Sequence, residues 1–384
     1  MSRQWEHLTE DDVPMRAKSG GSRPRTKTRP AHRNASAGLV VAVDRGRYQV
    51  RLFRPGFAED PATPGGPGRQ LTLTGLGEVE VTAIKAREMG HRSIVIGDQA
   101  YLVGDLSGQA GSLARIVRIS PRLTELRRSS EEITGRERVI VANASQLVIV
   151  TALAEPAPSP RLIDRQLVAA YDAGMSTLIC LTKGDLASAE QIEQLYGPLG
   201  IPIVSTGRAS GTGLADGAGQ ARAGSQSQER DTRDGIVQRL SGLEDVRQAV
   251  SGQMSVFVGH SGVGKSTLIN ALVPGARRAT GAVNQVTGRG RHTSSSAVAL
   301  ELPGGGWVID TPGLRSFGLS HVTAENVLAA FPDLAVGAAS CPRGCPHGPD
   351  ATGCALQQWA GESGPVHQRL SSYLRITSSL RGNQ

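Results

Sequence analysis

The sequence predicts a multidomain chain: a small all-β barrel, then a larger α/β domain, then a small helical and loop domain. Three observations predict this order. Short β-rich runs fill residues 37–120, strands and helices alternate through 121–325, and cysteines crowd together within 326–384. Residues 1–36 hold many arginines and lysines but almost no apolar side chains, so we expect a flexible basic tail that contacts RNA or is only solvated.

The composition excludes several classes of protein. With 384 residues and 39% hydrophobic content the chain can form real cores, and its net charge of +8 favours an anionic partner. Nucleic acid is the usual partner of such a chain, an acidic membrane surface is the second, and plain solvated basic faces also fit. We find no apolar run long enough to span a membrane and no apolar core of a signal peptide, so we expect a cytoplasmic protein.

The first folded part is predicted to be a barrel of the OB-fold type. Its short strands are separated by turn signals such as Asp44-Arg45-Gly46. The predicted strands are 38–43, 48–53, 77–82, 93–96, 100–103 and 112–119, with a Pro- and Gly-rich loop at 54–70. Barrels of this type bind oligonucleotides or sugars, but they also serve as spacers.

A basic connector, 121–128, leads into a strand–helix alternation that predicts a parallel sheet with crossover helices. The predicted strands are 146–151, 176–181, 201–204, 254–258 and 307–309, and the predicted helices are 161–173, 187–196, 243–250 and 267–272. Residues 206–235 interrupt this rhythm with Gly, Ser, Ala and Gln, which indicates a flexible insertion.

A complete phosphate loop follows the strand 254–258 and precedes a helix, which is the context that its chemistry needs. Its residues are Gly259, His260, Ser261, Gly262, Val263, Gly264, Lys265, Ser266 and, at the start of the helix, Thr267. The glycines let backbone N–H groups turn towards phosphate oxygens. Lys265 is expected to reach the β- and γ-phosphates, and Ser266 is expected to bind Mg²⁺.

A second motif, Thr182-Lys183-Gly184-Asp185, ends the strand 176–181 and is similar to the guanine-reading Asn-Lys-x-Asp signature of GTPases. Asp185 would accept hydrogen bonds from guanine N1 and N2, which adenine does not supply. Lys183 would lay its stem over the base, and Thr182 stands where Asn is usual. Ser205, after the next strand, is the candidate for a final guanine contact.

Asp310 ends the strand 307–309 and begins the sequence Asp-Thr-Pro-Gly. Its carboxylate can hold Mg²⁺ through water, and the N–H of Gly313 can sense the γ-phosphate. Residues 287–296 lie between the two phosphate motifs and are predicted to be a switch loop. Thr293 is the leading Mg²⁺ ligand there and Ser294 its rival; an ordinary basic surface loop is the alternative.

The order of these motifs predicts a circular permutation. Ordinary GTPases carry the phosphate loop first and the guanine signature late, whereas here the guanine elements at 182–206 precede the phosphate loop. Each motif still follows its own strand, and a cut and rejoined chain can keep the same packed sheet. We therefore predict a circularly permuted P-loop GTPase domain.

The C-terminal part contains Cys341, Cys345, His347 and Cys354 within 14 residues. Three thiolates and one imidazole satisfy tetrahedral Zn²⁺, and an all-protein ligand set indicates one structural ion. The alternative is three cysteines buried by chance. Cys180 lies in a predicted core strand and is expected to be a buried hydrophobe.

Together these motifs resemble the ribosome small-subunit-dependent GTPase family (RsgA), over residues 37 to the C-terminus. The resemblance implies an OB domain, a permuted GTPase domain and a zinc domain. It also implies binding of the 30S subunit and 16S rRNA, late maturation of that subunit, and subunit-stimulated hydrolysis of GTP to GDP. We further expect a monomer without membrane association.

The residue after Gly313 is Leu314, where many GTPases carry a water-orienting Gln, so we expect low intrinsic turnover. His292 is similar to the family residue proposed to take that catalytic role, and its imidazole can orient or deprotonate water. The alternative for His292 is contact with rRNA or solvent.

Three other functions compete with this interpretation. One is a P-loop ATPase or kinase, which nucleotide preference would reveal. Another is a permuted GTPase that acts on the large subunit or another RNA particle. The third is an RNA-binding scaffold that uses GTP only as a structural ligand, although Lys265, Ser266 and Asp310 are all intact.

Overall fold

The computed structural model describes residues 32, 34–54, 73–129, 137–208, 240–274, 297–311, 317, 319 and 322–381. All of these except His32 belong to one compact unit. The predicted switch loop, His292, Thr293, Ser294, Gly313, Leu314 and most of the basic tail and of the insertion lie outside the described residues.

The first described part is a closed five-stranded barrel. Its strands are β1 (Ser36–Asp44), β2 (Arg47–Phe53), β3 (Leu76–Lys85), β4 (Gln99–Gly104) and β5 (Ala114–Ile119). They pair in the order β1-β2-β3-β5-β4, and β4 pairs back onto β1, so the sheet closes on itself. Alternate residues point inwards, among them the fully buried Val40, Val50 and Leu102. The predicted OB-like barrel is confirmed.

A hairpin that the sequence did not predict follows the barrel. Its strands are β6 (Glu125–Ser129) and β7 (Glu137–Ala142). The expected connector at 121–128 therefore ends inside a strand. Pairing with β7 stabilises this polar segment, although its own sequence shows little alternation.

The remaining strands are β8 (Gln146–Ala152), β9 (Ser176–Thr182), β10 (Ile203–Ser205), β11 (Gly207–Arg208), β12 (Leu240–Ser241), β13 (Met254–Val258), β14 (Val298–Glu301) and β15 (Trp307–Asp310). Six of them form a sheet in the order β10-β9-β8-β13-β15-β14, parallel except for β14. The phosphate-loop strand β13 lies centrally although it comes late in the chain. The barrel continues this sheet through the pair Ala42 and Val298.

Four helices belong to this sheet: α1 (Pro160–Asp172), α2 (Glu190–Tyr196), α3 (Leu243–Val250) and α4 (Lys265–Leu272). Their apolar faces cover strands that are themselves buried on both sides, as crossover connections require. Helix α2 begins three residues later than predicted. Residues 184–189 form turns instead, beginning with the bond from the Leu186 N–H to the Lys183 carbonyl.

The C-terminal part is helical: α5 (Ala324–Leu328), α6 (Pro332–Ala338), α7 (Ala355–Ala360) and α8 (Pro365–Arg381). Phe331, Tyr373 and Ile376 are buried where these helices meet, and the cluster extends to Val168 of α1. No helix of the described residues is long and apolar enough to cross a bilayer.

The strand predicted at residues 93–96 is wrong. Only Ile96 makes an isolated bridge, to Val141, and the rest is loop. The apolar side chains Ile94, Val95 and Ile96 are buried, which explains the misleading pattern. The Val95 N–H is satisfied by the Asp98 carboxylate at 2.8 Å rather than by a neighbouring strand.

Candidate nucleotide site and metal centre

The predicted nucleotide motifs meet at one edge of the sheet. Strands β8, β9, β10, β13 and β15 are parallel, so their carboxyl ends lie on the same side. The guanine motif follows β9, the phosphate loop follows β13, and Asp310 ends β15. Ligands of open α/β sheets bind at this edge.

The phosphate loop has the backbone that its glycines permit. Gly262 and Gly264 have φ values of +83° and +86°, which residues with a Cβ rarely adopt. A Cβ on Gly259 would lie 2.5 Å from the Val150 carbonyl oxygen, so the loop packs directly against β8. Helix α4 begins at Lys265, and its first-turn N–H groups give this end partial positive charge.

Two phosphate-site residues form an ion pair. The Lys265 ammonium donates to the Asp310 carboxylate, and both side chains are largely buried. The neighbouring Thr311 hydroxyl donates to the Phe257 carbonyl at 3.2 Å, so the ends of β13 and β15 are fixed together. The two charges expected to handle phosphate and magnesium are therefore already in contact.

The guanine motif is tied to the phosphate loop by Thr182. Its hydroxyl donates to the Val263 carbonyl, which joins residues 81 positions apart in sequence. A hydroxyl thus links the two motifs at the position where Asn is usual. Lys183 adopts φ of +58°, and its ammonium donates to the Glu155 carbonyl in the loop after β8.

A cavity of about 320 Å³ is lined by residues from both motifs. Its walls come from four segments: the loop after β8, the guanine motif, the loop after β10 and the start of α4. The lining residues are Glu155, Thr182, Lys183, Asp185, Leu186, Thr206, Gly207, Arg208, Gly264, Thr267 and Leu268. The cavity matches the small end of ordinary ligand pockets.

The structure brings some predicted residues together and leaves others apart. Thr182, Lys183, Asp185, Gly264 and Thr267 line the cavity. Ser205 is outside its lining, and the next three residues, Thr206, Gly207 and Arg208, take its place. The sequence analysis missed those three together with Glu155, Leu186 and Leu268. Among these, Leu186, Thr206 and Leu268 each directly follow a predicted site residue, and Thr206 also falls within the predicted guanine elements, so position was a signal for these three.

The predicted zinc ligands converge. The ligand atoms of Cys341, Cys345, His347 and Cys354 all lie within 4.8 Å of one another. The Cys341 and Cys354 sulfurs are 3.9 Å apart, close to the edge of about 3.8 Å in a tetrahedron with ~2.3 Å Zn–S bonds. Burial is the main reason that the pKa of the Cys354 thiol is raised to about 11, and a divalent cation would reverse this direction.

A permuted parallel sheet that carries a phosphate loop, a guanine motif and a magnesium-type carboxylate at one edge defines a circularly permuted P-loop GTPase. The family model for the RsgA GTPase matches residues 119–218 and 229–320. The chain belongs to the RsgA family of ribosome-biogenesis GTPases, and it is a GTP hydrolase.

Two named relatives are similar to this chain over most of its length. The small ribosomal subunit biogenesis GTPase RsgA of Ectopseudomonas mendocina is 36% identical over 296 residues, 75% of each chain. The protein of the same name from Pseudomonas fluorescens SBW25 is 34% identical over 316 residues, 79% of this chain and 82% of that one.

Two solved structures share the fold. One is YjeQ from Thermotoga maritima, with a TM-score of 0.57 and 22% identity over 91% of this chain and 99% of that one. The other is YloQ, described as a circularly permuted GTPase, with a TM-score of 0.56 and 21% identity over 93% and 99%.

Proposed function

We propose that this GTPase binds the small (30S) ribosomal subunit and its 16S rRNA, and that the subunit stimulates GTP hydrolysis during its late maturation. One observation carries the nucleotide half of the proposal: a single cavity is lined by Lys183 and Asp185 on one side and by Gly264 and Thr267 on the other. The names of the relatives and the net charge of +8 support the ribosomal half.

In this proposal the base is read by Asp185 and covered by the stem of Lys183. Binding of the phosphates separates the ion pair between Lys265 and Asp310. Lys265 then contacts the β- and γ-phosphates, while Asp310 turns to the magnesium side. Because Asp310 ends β15, opening of the pair changes the contacts of the end of β15 when nucleotide binds.

Magnesium would be held by Ser266, Asp310 and either Thr293 or Ser294, where it would supply positive charge against the phosphates. Ser266 is exposed at the start of α4, next to the Lys265–Asp310 pair, so this part of the site fits the ion. We assign the Gly313 N–H to the γ-phosphate and His292 to the attacking water; both lie outside the described residues.

One structural Zn²⁺ would be held by Cys341, Cys345, His347 and Cys354. The Ala355 N–H donates to the Cys341 sulfur at 3.2 Å, which supports a thiolate there. The Cys341 sulfur also lies beside the N-terminus of helix α7, where the helix dipole favours a negative charge. The protein is proposed to act as a monomer in the cytoplasm, where ribosomal subunits mature.

The test is GTP turnover by the purified full-length protein alone, with 30S subunits and with 50S subunits. We expect 30S subunits to raise turnover roughly tenfold or more, a lowering of the barrier by about 1.4 kcal/mol. Equal stimulation by 50S subunits would favour action on the large subunit. Turnover unchanged by saturating 30S subunits would overturn the proposal.

A further inference from the structure

The loop after β10 touches the guanine motif through its backbone. The Gly184 N–H donates to the Thr206 carbonyl at 2.9 Å, and the Thr206 N–H donates to the Leu181 carbonyl at 2.7 Å. These bonds hold residues 206–208 against residues 181–185. The contact lies in the wall of the nucleotide cavity.

The carboxylate of Asp185 is held by this loop. Its Oδ1 accepts a hydrogen bond from the Arg208 N–H at 2.9 Å. Asp185 is exposed, so without this bond its carboxylate could rotate among several rotamers in water. A backbone donor therefore selects one orientation of the group expected to read the guanine.

Gly207 leaves the space that this arrangement needs. A Cβ at position 207 would lie 2.9 Å from the Asp185 nitrogen and 3.1 Å from its Oδ1. The φ of Gly207 is not positive, so alanine would meet no backbone strain there. The added methyl group would act mainly through these two contacts with Asp185, since its next neighbour is the Gly184 carbonyl carbon at 3.4 Å.

The partner glycine is equally constrained. A Cβ on Gly184 would lie 2.7 Å from the Ser205 hydroxyl and 3.4 Å from the Thr206 carbonyl oxygen. Ser205 therefore packs behind the motif rather than in the cavity. The two loops approach so closely that neither leaves room for a side chain between them.

Residues 206–208 have no room to move away from a methyl group on Gly207, because other backbone segments pack against them. Gly207 and Arg208 pair with Ser241 and Leu240 in the β11–β12 ladder. In the next turn, a Cβ on Gly242 would lie 2.1 Å from the Ser205 carbonyl oxygen. With this support in place, the added methyl group displaces the Asp185 backbone and side chain, and the exposed carboxylate loses its fixed position against the Arg208 N–H.

We propose that Gly207 is a positioning residue for guanine specificity: it lets the Arg208 N–H orient the Asp185 carboxylate towards the base. This inference deepens the proposed function and rests on it, since Asp185 must read the guanine. The ligand class is a guanine nucleotide with its 2-amino group.

The test compares Gly207→Ala with wild type and with Gly197→Ala, each titrated with GDP, IDP and ADP while bound fluorescent GDP is displaced. IDP keeps the ribose and both phosphates but lacks the 2-amino group. A Cβ on Gly197 meets nothing within 4 Å, and this residue lies in the helical turn after α2, so it is a matched control.

We expect wild type and Gly197→Ala to prefer GDP over IDP by roughly tenfold, the size of one hydrogen bond to a charged group. Gly207→Ala should reduce that preference to within about twofold. GDP, which offers Asp185 both N1–H and the 2-amino group, should lose more affinity than IDP, which offers only N1–H. Retained IDP binding also shows that the variant is folded.

An unchanged GDP-to-IDP ratio in Gly207→Ala would overturn the inference, and so would equal losses for both nucleotides. A different result would count against the proposed function itself: wild-type protein that binds ADP as tightly as GDP would show that Asp185 does not read a guanine.

Discussion

The two flanks of the nucleotide domain are attached in different ways. On the barrel flank, backbone pairing joins β1 to β14, and the Ala142 N–H donates to the Ile96 carbonyl. The Asn143 side-chain amide also donates to the Gly97 carbonyl. On the C-terminal flank, side chains of α8 contact α1 and the end of α2. One flank is therefore fixed in register by backbone pairing, whereas the other is held by side chains: an apolar cluster that includes Val168 of α1, and a few polar contacts.

A buried ion pair reinforces the barrel flank. The Arg122 guanidinium holds both oxygens of Asp98, at 2.7 and 3.0 Å, and also donates to the Ser93 carbonyl at 2.9 Å. Asp98 is fully buried, and its hydrogen bond with Arg122 raises the pKa of that guanidinium above its usual range. The barrel and the hairpin that follows it therefore share one charge network.

A smaller polar cluster fixes the C-terminal flank. Arg375 of α8 lies 3.0 Å from the Asp164 carboxylate and 3.1 Å from the Tyr196 hydroxyl, and it stacks over the Tyr196 ring. The Tyr196 hydroxyl also donates to Asp164 at 2.9 Å. These contacts join α8 to two helices of the nucleotide domain through side chains alone.

The largest expected effect comes from Arg122→Ala. The change leaves Asp98 buried without its partner, which should lower the free energy of unfolding by about 3–5 kcal/mol. Urea unfolding measures it. The control Arg127→Ala removes an exposed ion pair with Glu125 in the same hairpin and should cost at most about 1 kcal/mol. Similar losses in both variants would contradict the difference we draw between buried and exposed pairs.

An intermediate effect is expected from Asp164, and it depends on pH. Burial raises the pKa of its carboxyl to about 6, although the Arg375 charge and the Tyr196 hydrogen bond oppose this. The folded state therefore holds the proton more tightly than the unfolded chain, whose pKa is about 3.9. The contribution of Asp164 to stability should be greatest at low pH and should fall as pH rises through 6.

This prediction is checked by comparing wild type with Asp164→Asn at several pH values, because the other carboxylates then cancel. The stability of wild type relative to the variant should fall by up to about 3 kcal/mol between pH 4 and 7. A difference that stays flat, or rises with pH, would show that the Arg375 charge outweighs burial.

The smallest effect is expected where an exposed ion pair adds to the barrel flank. Arg51 of β2 lies over the Trp307 ring at 5.6 Å and pairs with Glu301 at 3.4 Å. Arg51→Met should cost about 1 kcal/mol or less, because Glu301 is exposed. A double-mutant cycle with Glu301→Gln should give a coupling of at most about 0.5 kcal/mol, and a larger value would make this pair part of the rigid attachment.

Contiguous motifs made much of the site predictable from sequence. The phosphate loop and the Cys-and-His cluster have fixed spacings, because their chemistry sets the number of residues between ligands. The motif order also predicted the permuted sheet that the structure contains. In both motifs the residues concerned lie close together in sequence.

The rest depends on contacts between distant segments. Glu155 offers its carbonyl, which every residue type has, and Arg208 its N–H, which every type except proline has, so neither position has a sequence signal. The strand prediction at 93–96 was wrong for a related reason: the apolar side chains of this loop are buried, while the Val95 N–H bonds to the Asp98 carboxylate rather than to a strand. Strand β6 is mostly polar, and its pairing with β7 shows that it is a strand. Strand β7 does carry a signal, the apolar run Val139–Ala142, which the sequence analysis did not use.

The β11–β12 ladder has a consequence for how this protein can evolve. Arg208 and Leu240 are paired, so the chain between them leaves and returns at adjacent points. For a flexible segment that joins two paired residues, the entropic cost of closure grows only with the logarithm of its length, by about 0.6 kcal/mol for each doubling. Insertions and deletions can therefore accumulate between these two residues at little thermodynamic cost, while the fixed ends leave the geometry of the neighbouring nucleotide pocket unchanged.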